Sequence, residues 1–431
     1  MQNLTRKIML AMLVGAATGV VINLFAADVA VVMDYVVGGL LYVIGAIFIA
    51  SLKMLVVPLV FVSLVGGVTS LGNLATLGRM SVKAISLYMV TTMIAITIAL
   101  SLAIAVGTGA DFDIGGSSAS FTGRDAPPIA DVFINMVPSN PIAAMASGNM
   151  LQIIVFALLF GIALTMSGER GKTIIALFRD LDVVVMKMVE IIMRLAPFGV
   201  FALIARTFAT QGIELIVPLI SYFLTLTCAL GFHALIVYPT VLKGLSGLNP
   251  LTFLRKMRDP ASFAFSTASS GATIPITLRT AEAKLGVDNA VASFTVPLGA
   301  TINMDGTAIM QGVATVFIAN VYGVDLTVTD YLMVVMTATL ASIGTAAVPG
   351  VGLIMLTMVL NQVGLPVEGI ALIIGVDRIL DMMRTACNVT GDCVVTCVIA
   401  NSEQALDIAT FNDPAAGALE LATEELPASK A

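Results

Sequence analysis

Tryptophan is absent from this 431-residue chain, histidine occurs once, and charged residues make up only 11% of it. A soluble domain averages about 25% charged residues. So large a deficit excludes a water-facing surface over most of the chain. Without Trp, any aromatic belt at a membrane interface must be built from Tyr and Phe. The four cysteines, Cys228, Cys387, Cys393 and Cys397, form no CxxC pair and lie in apolar stretches. They read as small buried hydrophobes, not as a disulfide or metal set. A metal centre built on the lone His233 has no support. HExxH and GxxxxGK[ST] are missing, and Ser269 and Ser270 have no neighbouring base. An enzyme, resident cofactor included, is therefore not expected. The net charge of −6 is no guide to partners, and nucleic acid is not among those expected. Much of the acid lies in the last stretch, at Glu403, Asp407, Asp413, Glu420, Glu424 and Glu425, where 402–431 reads as a disordered cytoplasmic tail.

What is present is apolar sequence: 58% of residues, with a mean hydropathy of +1.02. A spanning helix needs roughly 20 such residues. Candidate runs lie at 8–26, 38–69, 81–109, 149–167, 181–208 and 213–242, with further apolar sequence over 260–401. Although Arg6 and Lys7 precede an apolar run as in a signal peptide, that run is long enough to span and lacks a cleavage site. Placing the N-terminus inside gathers Arg6, Lys7, Arg79, Lys83, Arg170, Lys172, Arg179, Lys243, Arg255, Lys256 and Arg258 at inward ends. The expectation is a multi-pass protein of the inner (plasma) membrane with both termini cytoplasmic. Residues 111–128 form its one clearly polar outer loop.

Two apolar segments break differently. Residues 331–367 carry no charge, exceed one span, and contain Gly344, Pro349, Gly350 and Gly352 near their middle. Residues 263–275 are interrupted by serines, Gly271 and Pro275. Each predicts a re-entrant hairpin with a non-helical tip, and two in matching positions point to an inverted-repeat transporter.

On a helix over 371–400, Asp377, Asp381, Arg384, Asn388 and Asp392 fall within about 80° of one another, with Thr385 at the edge. Each charge near a bilayer centre costs roughly 2.5–3.5 kcal/mol on insertion scales. A charge network that only locks helices together is the competing reading; a substrate and cation path accounts better for the chemistry. Arg384 is suited to a carboxylate, Asp381 to an ammonium, and Asn388 and Asp392 to a small hard cation. Asn303–Thr307 (NMDGT) interrupts another apolar run, and unwinding over Gly299–Gly306 would add carbonyl ligands around Asp305.

NMDGT, SSGATIP, GTAAVPG and DMMRTACNVTGD, in that order, together resemble the glutamate transporter family of dicarboxylate/amino acid:cation symporters. SLKMLVVPLVFVSLVGG, NMVPSNP and NMLQIIVFALLFG extend the resemblance over nearly the whole chain. It implies an all-α membrane protein of eight transmembrane helices plus two re-entrant hairpins, a homotrimer working as an elevator. Residues 1–69 would hold scaffold helices 1 and 2, 80–109 helix 3, and 128–210 scaffold helices 4 and 5. The transport domain would fill 213–401: helix 6, hairpin 1 over 250–283, helix 7 over 288–322, hairpin 2 over 330–366 and helix 8 over 367–401. The same resemblance implies that Ser269, Ser270, Thr307, Ala347, Asp381, Arg384, Thr385 and Asn388 bind substrate. Asp392, Asn388, Asn303 and the Gly299 carbonyl would form one sodium site. Thr301, Met304, Ser342, Ile343 and Thr345 would form a second, largely through carbonyls, and Tyr88, Thr91, Thr92, Asn303 and Asp305 a third.

Acidic-substrate members commonly carry a second arginine where this chain has Ala268 and Met382. Arg378 is placed on a different face, leaving Asp381 less neutralised. The expected function is sodium symport of an acidic amino acid. The alternatives are a neutral amino acid or C4-dicarboxylate carrier, a proton-coupled variant, or a channel.

Overall fold

The structure is a computed structural model describing residues 2–70, 78–110, 134, 137–212, 216–342 and 349–417. The expected loop 111–128, the tip residues Ile343, Thr345 and Ala347, and residues 418–431 of the tail lie outside these. Among the described residues there is no strand; one isolated antiparallel bridge joins Val287 to Leu406.

Long helices form because apolar residues run almost unbroken and backbone groups in lipid must pair within their own segment. In chain order they are α1 (Gln2–Ala26), α2 (Tyr42–Ser70, led by a π-helix over Val32–Leu41), α3 (Gly78–Val106), α4 (Pro141–Ser147), α5 (Met150–Met166) and α6 (Lys172–Gln211). Then follow α7 (Ile216–Phe232), which runs through a π-helix at His233–Val237 into α8 (Tyr238–Ser246), and α9 (Pro250–Lys256). Val32–Gly66, Arg79–Val106 and Val217–Ser246 are long and apolar enough to cross a membrane. A fourth span is counted if the two halves of α6, bent by 44°, act as one.

Most of the remaining helices are shorter because polar and small residues interrupt them. α10 (Arg258–Thr267) and α11 (Ser270–Arg279) are separated only by Ala268 and Ser269 and pack on one another. α12 (Asn289–Ile302) and α13 (Asp305–Val321) are separated by Asn303 and Met304. α14 (Val328–Ser342) and α15 (Val351–Gln362) flank the second predicted tip and also touch. α16 (Ile370–Ser402) is the central helix, in contact with α3, α7, α8 and α10 to α13.

Packing falls into two groups. Helices α1 and α2 pack on α6 and α5 packs on α2, while α3, α7, α10 to α12, α14 and α15 gather around α13 and α16. Small residues set the closest approach in the first group. A Cβ on Gly15 would stand 2.9 Å from the Phe201 carbonyl oxygen, and one on Gly19 would stand 2.5 Å from that of Ala205. The pair sits one turn apart, so α1 and α6 meet backbone to backbone, where dispersion between close surfaces replaces the hydrophobic effect that lipid cannot supply.

Two expectations need correction. Cys228 is exposed, whereas Cys387, Cys393 and Cys397 are buried. The tail does not become disordered at 402. Asp288 N–H donates to the Ala405 carbonyl at 2.9 Å, and Asp407 N–H donates to that of Gly286 at 2.7 Å. Asp407 then caps α17 (Ile408–Asn412), accepting from Ala409 N–H at 2.9 Å and Thr410 Oγ1 at 2.6 Å. Buried Lys256 donates through Nζ to the carbonyls of Lys284 (2.6 Å) and Thr410 (2.8 Å) and lies over the ring of fully buried Phe411. Glu403 pairs with Arg79 and Lys83, which hold its carboxyl below the usual range. Composition suggested disorder because few large apolar side chains anchor this strap, chiefly Phe411 with Leu406 partly buried; backbone pairing supplies the rest.

Candidate functional site

The polar stripe of α16 folds into a closed ion network. Arg384 is only 1% exposed. Its Nη1 donates to Asp377 Oδ1 at 2.6 Å and its Nη2 to Asp381 Oδ1 at 2.9 Å. The spacing of seven and three residues places both carboxylates on one helix face. The third guanidinium nitrogen, Nε, is buried without a hydrogen-bond partner. Asp381 Oδ2 accepts from Gly350 N–H at 3.2 Å and lies 3.7 Å from Arg378 Nη1. Arg378 therefore does reach the site: three residues before Asp381 is about 60° around the helix, and a long side chain closes that angle. Asp381, expected to be poorly neutralised, stands between two guanidinium groups.

Other elements converge on Arg384. A Cβ on Gly352 would stand 3.2 Å from Arg384 Nη2 and 3.5 Å from Thr307 Cγ2, so the second broken segment approaches α13 and α16 through a bare backbone. A Cβ on Gly306 would meet the Arg384 backbone oxygen at 2.7 Å. In the first broken segment Ala268 takes a left-handed conformation (φ 51°), which a residue with a Cβ adopts only at a cost of about 1 kcal/mol or more. Ser269 then caps α11 by accepting from Ala272 N–H at 3.2 Å, with Ser270 buried at its first position. The start of α11, with its partial positive charge, is thus aimed from a tip packed near α16.

A second cluster lies deeper along α16. The chain leaves the helix only at Asn303 and Met304, so the expected unwinding over Gly299–Gly306 is confined to two residues and Gly299 remains helical. Asn303 Nδ2 donates to the Asn388 carbonyl at 2.9 Å and to Asp392 Oδ1 at 2.8 Å. Its Oδ1 is left buried with no partner. A Cβ on Gly299 would stand 2.6 Å from both Asp392 Oδ1 and Tyr88 Oη. Tyr88, Gly299, Asn303, Asn388 and Asp392 therefore converge. Asn388 spends its side chain on structure, accepting from Gly306 N–H at 2.7 Å and facing Met304 Sδ at 3.4 Å.

Asp305 anchors a third cluster. Thr92 Oγ1 donates to its Oδ1 at 2.6 Å, Tyr238 Oη donates to its Oδ2 at 2.9 Å, and His233 Nε2 lies 3.0 Å from Oδ2. All four side chains are inaccessible to solvent. His233 and Tyr238 were missed in the sequence. Their signal was weak: a single histidine five residues before a tyrosine and Pro239, the spacing that a π-helix aligns on one face.

The hydroxyls of several expected ligands donate within their own helices: Thr91 Oγ1 to the Tyr88 carbonyl, Thr301 to Pro297, Ser342 to Thr339 and Thr385 to Asp381. Each oxygen keeps its lone pairs, and Thr301 and Ser342 are expected to act largely through their carbonyls. Tyr88 Oη donates to the Thr295 carbonyl at 3.3 Å. Among the described residues no three His, Cys, Asp or Glu side chains gather. The donor set around Asn303 is amide, carbonyl and carboxylate oxygen, which fits a hard alkali cation better than a transition metal. Asn303 Oδ1 is thus a buried acceptor, and Arg384 Nε a buried donor, that no described residue satisfies.

Residues 4–402 match the sodium:dicarboxylate symporter family. The chain belongs to that family. It is 36% identical over 416 residues to the proton/glutamate-aspartate symporter of Escherichia coli (strain K12), covering 94% of each chain. It is 34% identical to the proton/sodium-glutamate symport protein of Bacillus subtilis (strain 168), over 84% of this chain and 85% of that one. It is 30% identical to the C4-dicarboxylate transport protein of the same organism, over 98% and 99%. The sodium:dicarboxylate symporter family is made up of transporters, which accords with a helical chain that buries Asp305, Asp377, Asp381, Arg384 and Asp392.

Proposed function

We propose that the protein is a secondary symporter that couples sodium entry to uptake of L-aspartate or L-glutamate. The observation that carries this reading is Arg384: a fully buried guanidinium with a spare Nε donor, held between Asp377 and Asp381 on the same helix as Asp392. A side-chain carboxylate would take the free Arg384 Nε and the Nη2 that turns from Asp381, while Asp377 keeps Nη1, and the substrate ammonium would take the place of Arg384 on Asp381. The exchange keeps every buried charge paired, which a low-dielectric site demands. Thr307 and the start of α11 at Ser269 and Ser270 are suited to the α-carboxylate. Sodium, as cargo, would be held by Asp392, Asn303 and neighbouring carbonyls, and by Asp305 with Thr92.

Gly350 N–H on Asp381 gives the second broken segment a reason to close only when the site is electrically satisfied. The elevator motion of 80–109 and 213–401 against a trimeric scaffold of 1–69 and 128–210, in a plasma membrane with inward termini, belongs to the same proposal, as do eight spans and two re-entrant hairpins. Proton coupling is the second reading, favoured by the names of two relatives; the retained Asp392 favours sodium. A C4-dicarboxylate would leave Asp381 without an ammonium. The test is uptake of radiolabelled L-aspartate and L-glutamate into proteoliposomes under an imposed inward sodium or proton gradient. Saturable, sodium-driven uptake supports the proposal. Acidic uptake that follows only the proton gradient overturns the coupling ion, and succinate uptake without aspartate uptake overturns the substrate.

A further inference from the structure

The geometry points to Arg378 as the residue that makes this site accept a substrate with net negative charge. This rests on the reading of the chain as an acidic amino acid carrier. Arg378 Nη1 lies 3.7 Å from Asp381 Oδ2, on the oxygen opposite the one that Arg384 holds. Its side chain is only 12% exposed, in a cavity where Phe48 and Leu52 of α2, Ala196 and Val200 of α6, and Gly350 and Leu353 face Asp377 and Asp381. Among the described residues, the charged groups at this point apart from Arg384 are Asp377, Arg378 and Asp381. Two carboxylates and two guanidinium groups make that described cluster neutral.

An aspartate or glutamate adds one net negative charge on binding. With Arg378 present, the cluster and ligand together carry one negative charge for the co-transported cations to balance. Without it they carry two, in apolar surroundings that screen poorly. A neutral amino acid meets no such difference. Arg378 also holds Asp381 by Oδ2, leaving Oδ1 as the oxygen that an ammonium takes when Arg384 turns to the substrate carboxylate. It acts through charge and through Asp381, and is a specificity residue without being a contact to the substrate.

The test is the ratio of apparent affinities for L-aspartate and its neutral isostere L-asparagine, from competition against labelled aspartate in proteoliposomes. One unit charge removed on the order of 8 Å away at an effective dielectric near 20 predicts that Arg378→Gln lowers this preference about 10- to 40-fold. Arg378→Lys is expected to keep it within about threefold. Arg378→His, compared with wild type at each pH, is expected to prefer aspartate near pH 5.5 and to lose that preference near pH 8, where imidazole is neutral. This last variant switches the charge within one folded protein. An unchanged ratio in Arg378→Gln, an Arg378→Lys as impaired as Arg378→Gln, or an Arg378→His ratio that follows wild type at every pH each overturns the inference. Wild type that takes up no acidic amino acid overturns the underlying function instead.

Discussion

Replacing Arg384 by alanine tests the centre of the site. The substitution removes the two charge-assisted hydrogen bonds at 2.6 and 2.9 Å and strands Asp377 and Asp381 in the protein interior. Breaking a buried ion pair from one side costs about 3–5 kcal/mol. Loss of the carboxylate's partner weakens aspartate by a similar amount, about 150- to 4,000-fold in affinity. Two assays separate these effects. Uptake into proteoliposomes reads binding and transport. Thermal unfolding read with a thiol-reactive fluorophore in a Cys228→Ser background suits a chain without Trp, because the exposed thiol is then gone and the buried Cys387, Cys393 and Cys397 react only once the fold opens. Adding Asp377→Asn removes one stranded charge, so the double variant should regain part of the lost stability and none of the aspartate uptake. By the same logic Arg384→Ala should admit neutral substrates, so serine or alanine uptake is measured alongside. Aspartate uptake within about threefold of wild type in Arg384→Ala would refute the assignment, as would its return in the double variant.

Asp305→Asn loses an acceptor for Tyr238 or Thr92, and Asp392→Asn one for Asn303. Each should shift the sodium activation curve to higher concentration by about tenfold or more; curves matching wild type would remove both from the cation path. Gly299→Ala places a methyl 2.6 Å from Asp392 Oδ1 and Tyr88 Oη, so sodium dependence should fail although no ligand side chain is changed. Lys256→Met breaks both strap bonds, and protease cleavage after residue 402 should accelerate while the long helices stay intact. The pairing of Glu403 with Arg79 and Lys83 lowers its pKa. Its contribution is therefore complete above about pH 4.5, the ordinary value, and fades as pH falls through the lowered one. Glu403→Gln should show the same loosening at neutral pH, measured as hydrogen exchange at 403–412.

Membrane residence was legible in composition alone, because a chain with so few charges has no other way to hide its surface. The stripe on α16 was legible too: helical periodicity is local, and Asp377, Asp381, Arg384, Asn388 and Asp392 share a face whatever packs against them. The interruptions at Ala268–Ser269 and Asn303–Met304 were announced by small and polar residues in apolar surroundings, though the second is far shorter than its glycines suggested. Arg378 was misjudged because a helical wheel treats side chains as spokes, whereas an arginine is long enough to cross to the neighbouring spoke. Pairings across the chain were out of reach. His233 and Tyr238 meet Asp305 from 72 and 67 residues away, and Lys256 meets Thr410 from 154 away. Local pattern determined which residues share a helix face and that they leave water; only tertiary packing decided which buried donor each buried acceptor would find, since that depends on how the helices sit together and on no property of either segment alone.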